Sequence, residues 1–125
     1  MTDRELYLAA KEVAQNAYAP FSKFCVGAAI LCKTGEVYLG VNVENSSYGG
    51  TICAERAAAV SALTAGKLDF EAIAIVANGD KVFPCGICRQ FLYEFAPKLR
   101  IVTGEDEDNL EVYRLDELLP NGFRI

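Results

Sequence analysis

The run Phe24-Cys25-Val26-Gly27-Ala28-Ala29-Ile30-Leu31-Cys32 is apolar on both of its alternating faces. Successive side chains of a strand project to opposite sides of a sheet, so this strand must be covered on both sides and belongs at the centre of a layered domain. Outward from it, Lys33-Thr34-Gly35 reads as a turn and residues 37–43 as a second strand, making a hairpin. Upstream, Thr2 and Glu5 fit a capping box, and Leu6, Ala9, Ala10, Val13, Ala14 and Ala17 recur at helical spacing. This predicts a helix ending near Tyr18, broken by Ala19-Pro20-Phe21-Ser22. Downstream, a polar loop (44–51) leads into an alanine-rich helix over 53–65, with Thr51 as its cap and Gly66 as its stop. A third strand over 70–78, a helix over 87–95 ended by Pro97, and a fourth strand over 100–103 follow. An acidic turn at 104–109, a short fifth strand at Val112-Tyr113 and a brief helix over 115–119 complete the chain. Strands alternating with helices around a strand buried on both faces give a three-layer α/β/α sandwich with a central mixed five-stranded sheet.

With 125 residues and 52% hydrophobic content, the chain has the size of one domain, 1–125, able to bury a core without disulfides. No apolar run approaches the ~20 residues of a membrane span. The N-terminal Met1-Thr2-Asp3-Arg4-Glu5 is charged rather than signal-like, which predicts a cytoplasmic protein with no membrane partner. In a reducing compartment, five cysteines are expected to be ligands, catalytic groups or core residues. A net charge of −5 argues against a nucleic-acid polymer as partner and favours a small molecule. The absence of histidine removes Ser-His and Cys-His nucleophile schemes and any imidazole-ligated zinc.

Two short motifs carry the chemistry. Thr51-Ile52-Cys53-Ala54-Glu55-Arg56 places a thiol, a carboxylate and a guanidinium within four residues, and Pro84-Cys85-Gly86-Ile87-Cys88 adds two thiols. Both stand where a helix is expected to begin, and the free N–H groups and dipole of a helix start favour the metal-binding thiolate. A lone C-x-x-C also fits a redox pair or a structural zinc knuckle. Here Cys53 lies 32 residues earlier (85 minus 53) with a glutamate two positions on. Cys25 and Cys32, seven apart on the central strand, point to opposite faces and read as core. Three thiol ligands leave a zinc position open, the pattern of a catalytic site, with Glu55 as general acid/base. Three thiolates on Zn²⁺ leave a net charge of −1, which an Arg56 guanidinium donating to the sulfurs would offset.

With these motifs, Arg89-Gln90 after Cys88, Tyr18-Ala19-Pro20-Phe21-Ser22-Lys23-Phe24, Val26-Gly27-Ala28-Ala29, Asn42-Val43-Glu44-Asn45, Ser47-Tyr48 and Glu117-Leu118-Leu119-Pro120, the chain closely resembles the short homotetrameric cytidine deaminases over nearly its full length. The resemblance implies the cytidine deaminase-like fold and one Zn²⁺ per chain held by Cys53, Cys85 and Cys88. It implies hydrolytic deamination of free cytidine and 2′-deoxycytidine, for pyrimidine salvage, by a zinc-held hydroxide adding at C4 with Glu55 as proton shuttle. Arg56 would bond ligand sulfurs, Asn42 and Glu44 the ribose hydroxyl, Phe24 would flank the nucleoside, and backbone at Ala54 would read the base edge. Ser46, Tyr48 and Phe123 would reach a neighbouring subunit's site in a homotetramer. Ser46, Ser47 and Cys25 depart from the residues most frequent in that family, and only two residues follow Phe123.

Rival readings make separate predictions. A deaminase of the blasticidin S type shares the zinc motifs and the Leu-Leu-Pro tail, whereas Asn42 with Glu44 favours an ordinary ribose. A structural zinc or redox module predicts a closed four-ligand metal or a Cys85–Cys88 disulfide. A polynucleotide-editing deaminase would need a basic stripe that the sequence lacks.

Overall fold

A computed structural model describes residues 1–78 and 80–125. Five strands, β1 (Val26–Cys32), β2 (Val37–Val41), β3 (Phe70–Ala77), β4 (Arg100–Gly104) and β5 (Leu110–Arg114), form one sheet in the order β2-β1-β3-β4-β5. Only β3 and β4 pair in parallel and the other neighbours are antiparallel, so the sheet is mixed. Helix α1 (Asp3–Val13) packs on one face. Helices α2 (Ala54–Thr64), α3 (Gly86–Tyr93) and α4 (Leu115–Leu118) lie on the other. This is the three-layer α/β/α arrangement with the five strands expected from the sequence. Among the described residues, no helix is long and apolar enough to cross a membrane.

All seven residues of β1 are buried. Its alternation splits the core: Ala28, Ile30 and Cys32 face α2, while Ala29 and Leu31 face α1 with Leu6, Tyr7 and Ala10. Fully burying a side chain such as Ile30 or Ile73 is worth roughly 1.5–3 kcal/mol, so the two faces of β1 and β3 supply most of the adhesion between layers. Both helices that flank β1 and β2 approach the sheet at backbone distance. A Cβ at Gly27 would stand 2.1 Å from the Ala10 carbonyl oxygen, and one at Gly40 would stand 2.3 Å from the Ala58 nitrogen and 2.5 Å from the Ala54 oxygen.

Several boundaries differ from the sequence expectation, each for a tertiary reason. The capping box forms, with Thr2 N donating to Glu5 Oε1 (3.0 Å) and Glu5 N to Thr2 Oγ1 (3.1 Å). Helix α1 nevertheless stops at Val13, followed by a 3-10 turn (Ala14–Asn16). Backbone bonds from Tyr18 N to Asn42 O (3.0 Å) and from Glu44 N to Tyr18 O (2.8 Å) draw the chain out of the helix. Thr51 is not the cap of α2. Ile52 and Val43 exchange two backbone bonds (2.9 and 3.0 Å), which keep the chain extended until Cys53, so Cys53 takes the N-cap position. The fifth strand is longer than the sequence reading, because five residue pairs with β4 recruit polar Glu111 and Arg114 that apolar patterning passes over.

The topology brings the functional segments to one end of the sheet. Gly27 pairs with Val41 and Val26 with Ala77, so the start of β1, the end of β2 and the end of β3 coincide. Phe24 enters there, Asn42 and Glu44 leave there, and Asn78 follows the end of β3 there. The start of α2 joins them through the Val43–Ile52 bridge.

Candidate active site

Cys53 is the N-cap of α2 and Cys85 the N-cap of α3, and neither helix start has a side-chain cap. Cys88 lies in the first turn of α3. All three thiols therefore lie at the positive end of a helix dipole. Their sulfurs lie within 4.8 Å of one another, with Cys53 Sγ and Cys85 Sγ 3.8 Å apart. Cys88 is fully buried, Cys85 exposed and Cys53 between, so the cluster opens to one side. Cys25 and Cys32 lie outside it: Cys32 packs under α2, and Cys25 precedes β1 on the opposite face.

Charge is organised around Cys53. Its pKa falls to about 5, chiefly through its hydrogen bond with the Cys88 thiol, with Arg56 and Cys85 adding to the effect against the cost of burial. Cys88 moves the other way, held protonated by that hydrogen bond and by burial. Arg56 Nη2 donates to Cys53 Sγ at 3.5 Å, and this bond first of all raises the arginine's own pKa. Arg56 Nε is buried with no hydrogen-bond partner among the described residues. Glu55 is only 4% exposed, and burial raises its pKa to about 7. A carboxyl group held there is half-ionised at neutral pH, which suits a group that must both take and return a proton.

The donor set fits zinc. Zn–S bonds of about 2.3 Å in a tetrahedron put sulfurs about 3.8 Å apart, the spacing already present between Cys53 and Cys85. Three protein sulfurs fill three corners, and the guanidinium beside Cys53 offsets the excess negative charge.

Around this core the structure places the other expected residues, and several have internal partners. Asn42 is buried. Its Oδ1 accepts from Val26 N (2.8 Å) and its Nδ2 donates to Phe24 O (2.7 Å), so it clasps the entry of β1. Glu44 Oε1 accepts from Phe21 N (2.9 Å) and Ser22 N (3.1 Å), and Oε2 accepts from the Ser22 hydroxyl. Each carboxylate oxygen has two lone-pair sites, so Oε2 keeps one for a further donor. Phe24 is 44% exposed. The Ala54 side chain is fully buried at the first position of α2. Ser46, Tyr48 and Phe123 are all exposed, Tyr48 resting edge-on against Phe21 at 6.0 Å.

Three supporting residues had no role in the sequence reading. Arg89 Nε donates to Pro84 O and its Nη1 to Leu118 O, both at 2.7 Å. Gln90 Nε2 donates to Phe123 O at 2.9 Å. Thr103, fully buried in β4, donates to Val82 O at 2.7 Å, fastening the approach to Cys85. The signals available in advance were that Arg89 and Gln90 share a short helix with Cys88 and stand in the motif that carries the resemblance.

Comparison with known proteins agrees with this geometry. The sequence pattern described as "Cytidine and deoxycytidylate deaminase zinc-binding region" matches residues 1–104. A cytidine deaminase of Halalkalibacterium halodurans is 42% identical over 124 residues, 97% of this chain and 94% of that one. A blasticidin-S deaminase of Bacillus cereus is 35% identical, covering 94% and 89%. The crystal structure of cytidine deaminase from Burkholderia pseudomallei superposes with a TM-score of 0.92 at 44% identity, covering 98% of this chain and all of that one.

Proposed function

The chain belongs to the cytidine and deoxycytidylate deaminase family, and from that premise we propose that it is a single-domain, zinc-dependent hydrolase that converts free cytidine and 2′-deoxycytidine to uridine and 2′-deoxyuridine with release of ammonia. The observation that carries this reading is Glu55, almost fully buried and with its pKa near neutral, beside three clustered thiols. Cys53, Cys85 and Cys88 would hold one zinc ion per chain. When bound, zinc lowers the pKa of a coordinated water to about 7 and so supplies a nucleophile at neutral pH.

The chain's own groups do the rest. Ionised Glu55 accepts a proton from the attacking water and passes it to ring N3 as C4 becomes tetrahedral. The water's second proton, carried by the same carboxylate, reaches the exocyclic nitrogen before the C4–N bond breaks and ammonia leaves. Arg56 donates to Cys53 and keeps that sulfur's charge in check. Phe24 flanks the nucleoside, the Ala54 backbone reads the base edge, and Asn42 and Glu44 meet the ribose hydroxyl. Ser46, Tyr48 and Phe123 serve a neighbouring subunit's site in a homotetramer. The enzyme acts in cytoplasmic pyrimidine salvage.

The test is to mix purified protein with cytidine and follow the ultraviolet change on loss of the 4-amino group, with a metal count and a chelator-stripped control. Zinc near one per chain and chelator-sensitive turnover are expected. Glu55→Gln is expected to retain zinc and fold while losing about 10²–10⁴ in kcat; near-normal turnover there removes Glu55 from the mechanism. Blasticidin S as the preferred substrate would shift the reading to the other similar enzyme, which has the lower identity. A Cys85–Cys88 disulfide with no absorbance change would favour the redox module.

A further inference from the structure

Helix α3 does more than present Cys88. Three of its half-buried residues, Arg89, Gln90 and Tyr93, engage the C-terminal tail. Arg89 reaches Leu118 O at the end of α4. Gln90 makes a two-way amide contact with Phe123, its Nε2 donating to Phe123 O (2.9 Å) and its Oε1 accepting from Phe123 N (3.5 Å). Tyr93 receives Gly122 so closely that a Cβ there would stand 2.9 Å from the ring. Between these contacts the chain reverses through Asn121, whose φ is +60°. The result is a tail whose backbone is held at Gly122 and at both the N and O of Phe123 while Phe123 as a residue is left 67% exposed. Ordering this backbone costs conformational entropy, and what it fixes is the direction in which the exposed aromatic is presented.

We propose that Gln90 is a positioning residue: its side-chain amide fixes the Phe123 backbone so that the ring is presented in one orientation to a nucleoside bound in a neighbouring subunit. This rests on the reading of Phe123 as a residue of that site. Among the described residues the Gln90 side-chain amide bonds only to Phe123, and it acts through that residue. Its placement two residues after Cys88 ties the tail and the thiol-bearing turn to one rigid helix.

The test uses the zinc-loaded protein as wild type, Gln90→Met, Gln90→Glu, Phe123→Ala and the Gln90→Met/Phe123→Ala double variant. Methionine keeps the length and helix propensity of glutamine and removes both bonds, whereas glutamate keeps an acceptor and removes the donor. Gln90→Met is expected to speed hydrogen exchange in residues 119–125 by about tenfold, the size that loss of two neutral hydrogen bonds produces. Zinc content stays unchanged, KM for cytidine rises by about tenfold and kcat stays within about twofold, the pattern of lost binding without lost chemistry. Gln90→Glu falls between, and the double variant is no worse than Phe123→Ala alone.

Unchanged exchange in both Gln90 variants overturns the clasp. Unchanged KM with faster exchange overturns its role at the site. Additive losses in the double variant, or lost zinc in Gln90→Met, overturn action through Phe123. A wild type that leaves cytidine untouched defeats the deaminase reading and with it the role at the site, while the exchange experiment still decides whether Gln90 holds the tail.

Discussion

The two helices that present thiols are seated by different means. The start of α2 is fixed by main chain: Ile52 is bonded to Val43 on both sides, and the backbone of Ala54 and Ala58 rests on Gly40. The start of α3 is fixed by side chains: Arg89 bridges Pro84 O and Leu118 O, and Thr103 holds Val82 O. A seat made of backbone yields only to an intruding atom. A seat made of side chains is as secure as the few residues that form it.

Substitutions can break this contrast, beginning with the largest expected effect. Gly40→Val pushes side-chain atoms into the backbone of α2, and a loss of about 3 kcal/mol or more in urea unfolding is expected. A loss below about 1 kcal/mol would mean that the α2 seat is softer than its contacts.

Buried charge sharpens the same contrast, because Glu55 is a titrating group inside the α2 start. Burial raises its pKa from 4.5 to about 7. The native protein therefore keeps a proton that the unfolded chain releases above pH 4.5, and stability is progressively lost as pH rises through 7. The difference of about 2.5 units corresponds to roughly 3 kcal/mol. Between pH 4.5 and pH 8, zinc-stripped wild type should lose about this much stability relative to zinc-stripped Glu55→Gln, the contribution of Cys53 being common to both. Parallel pH curves for the two would sink the assignment.

At the α3 start, Arg89→Met orphans the Pro84 and Leu118 carbonyls. It is expected to cost about 2 kcal/mol and to weaken zinc retention against a chelator by about 10–100-fold. Retention equal to wild type would show that Cys85 and Cys88 hold their places unaided. Thr103→Val removes one bond to the same segment and should cost about 1 kcal/mol, with a smaller change in retention.

The contrast also explains what could be read in advance. The layered fold was legible because β1 carries apolar residues on both alternating faces within a short run closed by a turn, the pattern of a doubly covered strand. The thiol cluster was legible because Cys53, Cys85 and Cys88 each mark a helix start, so local spacing and local structure coincide. Thr51 misled because a long-range pairing, Val43 with Ile52, overrode an ordinary capping preference. Arg89, Gln90 and Thr103 stayed hidden because their partners are backbone carbonyls 5 to 33 residues away, and any carbonyl looks like any other in a sequence.

The seat of α2 is lined by Ala54, Ala58, Ala59 and Ala62, all fully buried. Alanine has no rotamers to lose on folding and none to regain on warming, and glycine beneath it adds none. The alanines on the helix side of this contact thus add no side-chain entropy to the placement of Cys53 relative to the sheet. The spacing of the three sulfurs should accordingly drift little with temperature on the α2 side, and whatever thermal softening the cluster shows before global unfolding should enter from Cys85.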